Sequence, residues 1–249
     1  MRHLVILALM IFHVTAVRAD FAELVKSGDI HDAKFECDQA LKFYLPAEKL
    51  DPRNVDLLVK ISRQYALRMS DLPKEADKLV SGRTALAYAE RAVAVAPDES
   101  DAHLSVAICL GKLTPLAGSR EKIENSRKIK TAAEKAVKLN PQSDFAWHLL
   151  GRWHQSLANI GGATRALASV IYGGLPAASN DEAVKCFQKA MALNPKRLVH
   201  VVELGRTYQM MGREAEAKRY LEQGLGMPNK DKDDPETKAR GRAALKEVS

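Results

Sequence analysis

The chain has 249 residues, of which 46% are apolar and 28% are charged, and its formal net charge is +7. With 14 glycines and 10 prolines it is neither collagen-like nor of low complexity, and it is long enough to bury a core in one or two domains. Aromatic residues make up only 6%, a balance that favours helices and argues against a β-barrel or a sandwich. We therefore expect an all-α protein.

The first nineteen residues form a separate unit. Two basic residues precede the apolar stretch 4–14, and Val17-Arg18-Ala19 places small residues at the positions that a signal peptidase requires. A bilayer requires about 20 apolar residues, so a signal peptide is a better interpretation than a membrane span. A marginal signal anchor and a mitochondrial presequence remain as alternatives. The remainder of the chain has no N-x-[ST] acceptor and no cysteine pair, which gives no support to an oxidising compartment.

An internal repeat organises the remaining residues. Similar short endings precede Pro97, Pro141 and Pro195, each after an amphipathic stretch with small residues at helical spacing, and Leu50-Asp51-Pro52 provides a fourth. The last unit contains the complete series of large, small and aromatic positions of a tetratricopeptide repeat: Leu204, Gly205, Tyr208, Gly212, Ala217, Leu221 and Gly224. Such a pattern predicts antiparallel helical hairpins, with small residues where the two helices approach each other most closely.

The repeat predicts one solenoid domain over residues 20–249, with about five helical hairpins and a C-terminal capping helix at 235–248. Successive prolines are 45, 44 and 54 residues apart, longer than the roughly 34 of a standard repeat. Most of the longest excess lies at 155–178, where we expect an insertion containing a short helix from Ala163 to Tyr172. We expect Ser179 to cap the helix that follows, and Pro46 to end the first hairpin early.

Positive charge is concentrated at residues 112–138, which carry eight lysines and arginines against three glutamates. A local basic excess attracts an acidic protein surface, nucleic acid or anionic lipid through the same field, and a solvated helix face is an equally good interpretation. The candidate basic patch comprises Lys112, Arg120, Lys122, Arg127, Lys128 and Lys130.

No catalytic motif is present. The sequence lacks the GxxxxGK[ST], GxGxxG, GxSxG and HExxH patterns, and its three cysteines are too far apart in sequence for a CxxC metal or redox pair. His148 and His154 are six residues apart, which places them on different faces of a helix and argues against a zinc pair. We expect a non-enzymatic protein with no cofactor and no metal.

Several segments resemble the regulator of microtubule dynamics family. They are Ile61-Ser62-Arg63, 85–92, 107–110, 123–136, and above all His148-Leu149-Leu150-Gly151-Arg152-Trp153 followed by the insertion. The resemblance covers roughly residues 54–225. It implies a non-enzymatic helical-repeat protein that associates with microtubules and spindle poles in the cytoplasm. Some members carry an N-terminal hydrophobic segment that places them on mitochondrial or endoplasmic-reticulum membrane, whereas here that segment resembles a cleavable one.

Three arginines occupy equivalent positions in the repeat. Arg63, Arg152 and Arg206 directly follow Ser62, Gly151 and Gly205, at a position that faces the concave groove of a tetratricopeptide solenoid. Guanidinium groups match carboxylates, so we expect this groove to bind acidic peptide tails, with His148 and Gln209 as further contacts. The alternative is that each arginine pairs with a carboxylate of a neighbouring helix and stiffens the stack. His148, with Trp147 and Trp153, is better interpreted as packing between the first helix and the insertion.

Two functional hypotheses follow from the sequence. The first is a scaffold that binds microtubules, the acidic tails of tubulin or another acidic segment, in the cytoplasm and on the spindle, with no nucleic-acid partner. The second is an adaptor or lipid-binding module of the secretory route or an organelle surface, associated with membrane through the N-terminal segment. A polar, arginine-lined groove favours the first hypothesis, and an apolar cavity beside the insertion favours the second.

Overall fold

The computed structural model describes residues 20–172 and 174–248, and every regular element in these two ranges is helical. The helices are α1 (20–32), α2 (Cys37–Leu50), α3 (Val55–Arg68), α4 (Glu75–Val95), α5 (Ser100–Leu113), α6 (Ser119–Leu139), α7 (Asp144–Ala158), α8 (Gly162–Tyr172), α9 (Asn180–Leu193), α10 (Leu198–Met210), α11 (Glu214–Gly226) and α12 (Asp234–Lys246). The predicted all-α fold is confirmed. The candidate signal peptide, residues 1–19, lies outside the described residues.

The chain divides into two compact units at Pro97. Helices α1 to α4 form two hairpins in the first unit. In the second unit, α5 pairs with α6, α7 with α9 and α10 with α11, while α12 packs against both α10 and α11. The order of elements is therefore that of five hairpins followed by one further helix. That residues 20–249 fold as a single domain remains a prediction, since each unit is compact by itself.

Small residues allow the two helices of a hairpin to approach closely, as the repeat pattern predicts. A β-carbon added to Gly205 of α10 would lie 2.9 Å from the backbone nitrogen of Leu221 in α11, and one added to Gly151 of α7 would lie 2.9 Å from the ring of Phe187 in α9. At the equivalent position of α3, the hydroxyl of Ser62 donates to the carbonyl of Ala85, 2.9 Å away. Each close contact fixes how the first helix is rotated about its own axis.

Local sequence signals set most helix ends. Asparagine or serine side chains accept a backbone N–H at the start of three helices, at Asn54, Ser143 and Ser179. Pro46, by contrast, lies inside α2, which continues to Leu50, so the expectation that this proline ends the hairpin is wrong. A helical proline lacks one N–H donor, but the helix continues because Tyr44 and Ala47, on either side of it, are fully buried in the core of the first unit.

The insertion contains one helix, α8, which packs against α6. Arg127 of α6 donates to the carbonyl of Gly174, which follows α8, at 3.0 Å. The C-terminal helix spans Asp234–Lys246, within two residues of the predicted bounds. In residues 20–172 and 174–248, none of the helices combines the length and the apolar character needed to cross a bilayer.

The hairpin contact gives a first testable prediction. Gly205→Ala should lower the free energy of unfolding by about 2 kcal/mol, because the new methyl group overpacks against the Leu221 backbone, which cannot move away easily. Gly111→Ala is the matched control: a β-carbon on this α5 glycine meets nothing within 4 Å, so it should stabilise the protein by about 0.5 kcal/mol. Urea denaturation of both variants measures the difference, and equal effects would refute the close contact.

Candidate functional site

Two of the predicted arginines come together. Arg152 of α7 and Arg206 of α10 both approach the side chain of Glu203, which is fully buried. Their nearest nitrogens lie 2.6 and 2.7 Å from the same carboxylate oxygen, Oε2. The preceding glycines explain this convergence, because each glycine holds its helix against the second helix of the hairpin and so directs the next residue to the same side.

A third arginine completes the group. Arg240 of α12 lies 3.4 Å from the other Glu203 oxygen, Oε1, which also accepts a hydrogen bond of 3.0 Å from Arg206. One buried carboxylate is thus contacted by guanidinium groups from three helices, α7, α10 and α12. We call Arg152, Arg206 and Arg240 around Glu203 the arginine cluster.

The arginines keep Glu203 ionised. Burial by itself would raise the pKa of this carboxyl group, but the neighbouring charges of Arg152, Arg206 and Arg240 lower the pKa to about 2. The buried carboxylate is therefore charged at any physiological pH and connects the three helices electrostatically.

Positive charge exceeds negative charge at the cluster. Besides Glu203, the carboxylate of Glu236 lies 2.6 Å from Arg240, so three arginines face two glutamates. The side chains of Arg152 and Arg240 are each one-third exposed, and that of Arg206 is 18% exposed. These partly exposed side chains form a polar surface on α7, α10 and α12 that can donate to carboxylates of another molecule.

The third predicted arginine, Arg63, lies on α3 in the first unit. Its guanidinium group contacts Asp32 of α1 at 2.8 Å, and its side chain is half exposed. All three predicted arginines therefore have a carboxylate neighbour within the protein. For Arg63 and Arg152 it lies on a neighbouring helix, as the structural alternative requires, whereas Arg206 contacts Glu203 of its own helix, α10. Gln209 donates to Glu247 at 2.6 Å. Binding of a partner by these residues remains a prediction.

His148 does not belong to an exposed surface, and its assignment to the groove is wrong. The residue is 4% exposed, and its ring packs against Phe145 and Phe187 with centroid distances of 5.3 and 5.4 Å. These rings, together with that of His200, come from α7, α9 and α10. The ring of His148 thus fills a space in the core between the α7/α9 hairpin and the α10/α11 hairpin.

A buried polar network extends from His148. The Nδ1 atoms of His148 and His200 are 3.1 Å apart, and His200 Nε2 donates to Asp144 at 2.9 Å. A neutral imidazole carries one N–H, and His200 uses it at Nε2. Nδ1 of His200 therefore accepts a hydrogen bond, which Nδ1 of His148 donates. Arg197 also contacts Asp144, at 3.2 Å, and reaches Asp231 at 3.5 Å.

Both histidines resist protonation. Burial and the facing charge of His200 hold the pKa of His148 well below its usual range. Burial also lowers the pKa of His200, against the opposing effect of Asp144. In Asp144 itself, burial would raise the pKa, but the hydrogen bond from His200 and the charge of Arg197 lower it. The network is thus built for neutral histidines and an ionised aspartate.

The predicted basic patch separates into different environments. Lys112 lies on α5, and its ammonium group contacts Asp233 at 2.7 Å. Because this carboxylate neutralises it, Lys112 adds little positive charge to the patch. Lys130 is half-buried, 5.2 Å above the Trp153 ring. The other four residues of the patch are exposed on α6: Arg120, Lys122, Arg127 and Lys128.

The sequence analysis missed Glu203 and Arg240. Glu203 lies in the run Val201-Val202-Glu203-Leu204, where an acid among buried apolar residues indicates a buried ion pair, and this signal is readable in the sequence. Arg240 gives no such signal, because only the packing of α12 brings it to Glu203. Among the residues that the structure describes, no three His, Cys, Asp or Glu side chains come together as metal ligands.

Residues 22–249 match the model of a family described as regulator of microtubule dynamics protein 1-3. The chain belongs to the regulator of microtubule dynamics family. This confirms the resemblance that the His148–Trp153 block and the following insertion indicate.

Individual relatives of this family member cover most of the chain. Regulator of microtubule dynamics protein 1 of Mus musculus is 30% identical over 82% of this chain and 68% of its own length. The Bos taurus protein 1 is 26% identical over 96% of this chain and 76% of its own. Protein 3 of Xenopus laevis is 26% identical over 86% of this chain, which spans about half (47%) of that longer relative.

Solved structures similar to this family member are tetratricopeptide-type helical proteins. A thermophilic TPR protein of Thermus thermophilus superimposes with a TM-score of 0.64 at 19% identity, covering 90% of this chain and 98% of that one. The pilF protein of Pseudomonas aeruginosa gives a TM-score of 0.55 at 14% identity, with 93% and 92% of the two chains covered. At these identities the likeness establishes the fold alone, which is a helical-repeat fold.

The cluster gives a second testable prediction. Arg206→Glu should lower the free energy of unfolding by about 3 kcal/mol or more, because it removes one guanidinium group from a buried carboxylate and adds a second negative charge beside it. Arg120→Glu is the matched control, since Arg120 pairs with Glu124 on an exposed face of α6 and should cost less than about 1 kcal/mol. Chemical denaturation distinguishes them, and a small loss in both variants would argue against a structural role for the cluster.

The histidine network gives a third testable prediction, which concerns the pH dependence of stability. Unfolded histidine has a pKa of about 6.5, above the folded values, so the unfolded state binds more protons and stability should fall as the pH drops from about 7 to 5. His148→Phe should reduce that fall, because it removes one of the two buried histidines whose pKa is lowered, whereas His103→Phe, outside the network, should retain it. Denaturation at both pH values provides the test, and an identical pH dependence in both variants would contradict it.

Proposed function

We propose that this protein is a non-enzymatic scaffold that binds microtubules, or spindle-associated partners, through their acidic segments. The observation that carries the proposal is the arginine cluster, in which three guanidinium groups share one buried carboxylate while their side chains stay partly exposed. Acidic tails of tubulin present the carboxylates that such donors fit. Membership of a family named for microtubule dynamics supports this choice of partner.

The cluster is suited to recognition because Glu203 holds it in place. An arginine whose position is fixed loses less conformational entropy when it binds a carboxylate than a flexible surface lysine does. The exposed basic residues of α6 contribute in a different way, since their field extends about 8 Å in physiological salt and raises the rate of encounter with an acidic partner. We expect the cluster to determine affinity and α6 to determine salt dependence.

The second hypothesis, an adaptor or lipid-binding module on an organelle membrane, predicts an apolar cavity beside the insertion. The cleft found there is lined by two arginines and one glutamate together with two isoleucines. This mixed lining supports the scaffold proposal over an apolar lipid slot. Membrane association through residues 1–19 remains a prediction about residues outside the described ranges.

The fourth testable prediction concerns binding. The full-length chain should pellet with taxol-stabilised microtubules at low salt, less at moderate salt, and little when a protease has removed the acidic tubulin tails. Arg240→Gln should weaken binding about tenfold, the loss expected for one charge-assisted hydrogen bond. Arg240 is the best target because Arg152 and Arg206 still neutralise Glu203 after its removal.

Arg242→Gln is the matched control for that experiment. It removes the same charge from the same helix, but two residues along α12, and it is exposed on a different face. Binding that falls equally in both variants would show attraction by net charge alone. Pelleting that does not depend on the tubulin tails would contradict the proposed function.

A further inference from the structure

A cleft of about 530 Å³ lies between α6 and α8. Arg120, Ile123, Glu124 and Arg127 of α6 line one side, and Ile171 of α8 lines the other. None of these residues belongs to the arginine cluster, so the cleft is a separate surface. Its volume is in the range of sites that hold a few side chains of a ligand.

The two arginines of the cleft are regularly spaced. Arg120 and Arg127 are seven residues apart, which places them on one face of α6 about 10 Å from each other along the helix axis. Arg127 donates to the carbonyl of Gly174 and is thereby held at the end of α8. Arg120 contacts Glu124 at 3.0 Å, and its side chain is four-fifths exposed. With one glutamate between two arginines, the cleft has a net positive charge.

Apolar side chains lie directly beside these charges. Val170 of α8 is 86% exposed and Ile171 is 56% exposed, and both are among the most exposed large apolar residues in the described part of the chain. Ile123, half-buried between the two arginines on α6, extends the apolar surface into the cleft. The lining is therefore basic at both ends, with apolar side chains and Glu124 between them.

We propose that the α6/α8 cleft is a docking site for an acidic amphipathic helix of a partner protein. Two carboxylates, two helical turns apart, pair with Arg120 and Arg127, and an apolar side chain between them packs against Ile123 and Ile171. This arrangement complements the cleft in both charge and polarity, and helices bind to grooves through anchors with this spacing. The site goes beyond the proposed function, because it requires an apolar anchor that a purely acidic tail lacks.

A protein helix fits this surface better than an anionic membrane does. Glu121 and Glu124 are exposed on α6, and a flat layer of anionic headgroups would meet both of them. A helix seated in the cleft places its apolar side chains near Glu124 and its carboxylates at the two arginines. The mixed charges of α6 thus favour a partner whose own charges are spaced.

Fluorescence anisotropy of a labelled synthetic peptide with the full-length chain tests the proposal. The probe is a helical peptide of about 15 residues with Glu at positions i and i+7 and Leu at i+3 and i+4. Two control peptides carry Lys in place of both Glu, or the same residues in scrambled order. We expect the probe to bind and both controls to bind at least about tenfold more weakly.

Variants locate the binding. Arg120→Ala combined with Arg127→Ala should weaken binding at least about tenfold, and Ile171→Ser should weaken it severalfold. Lys122→Ala combined with Lys128→Ala is the matched control, since it removes the same charge from exposed positions of α6 outside the cleft lining. Arg127 also holds Gly174 at the end of α8, so its loss could disturb the cleft itself. Arg120→Ala alone avoids this effect, because the ion pair that it removes, with Glu124, lies within α6.

Three results would overturn the proposal. Equal loss in the arginine and lysine pairs would show that only net charge matters. Equal binding of the scrambled peptide would show that spacing does not matter. Displacement of the probe by phosphatidylserine vesicles, with no effect of Ile171→Ser on peptide binding, would identify the surface as a membrane contact. Loss confined to Arg120, Arg127 and Ile171 supports the docking site whatever the outcome with microtubules.

Discussion

The structure of the second unit depends on one buried carboxylate. Glu203 has no exposure to water, and an isolated charge in that position would be strongly unfavourable. It is tolerated because Arg152 and Arg206 contact one of its oxygens, and Arg206 and Arg240 contact the other. Helices α7, α10 and α12 are thus held in one relative arrangement by a group that none of them satisfies alone.

The hairpin contacts determine where this carboxylate and its arginines lie. Gly151 and Gly205 allow α7 and α10 to pack so closely against the second helix of each hairpin that an added methyl group would clash. With each helix held in that rotation, the residue after the glycine lies on the same side in both hairpins. A polar network at the beginning of α7 and α10, from His148 through His200 to Asp144, connects the same two helices again. Charge and packing therefore specify the same arrangement.

The sequence predicts the repeat well because the repeat is a local pattern. Small residues at hairpin contacts, the serine cap before α9 and the turn at Gly212, whose φ is +70°, all act within a few residues of themselves. The candidate site is less predictable, since it arises from pairs distant in sequence. Arg240 meets Glu203 across 37 positions and Lys112 meets Asp233 across 121. His148 was misplaced for the same reason, because burial between hairpins determines its environment. Pro46 was misplaced because burial of its neighbours Tyr44 and Ala47 keeps the helix continuous.

The central claim is that Glu203 connects α7, α10 and α12, and hydrogen exchange on Glu203→Gln measures this most directly. Glu182→Gln, which changes an exposed carboxylate paired with Lys185, is the matched control. In Glu203→Gln, the amides of α12 should lose protection from exchange, because Arg240 no longer has its buried counter-charge. In the control variant, the amides of α12 should keep their protection. Unchanged protection of α12 in Glu203→Gln would contradict the account.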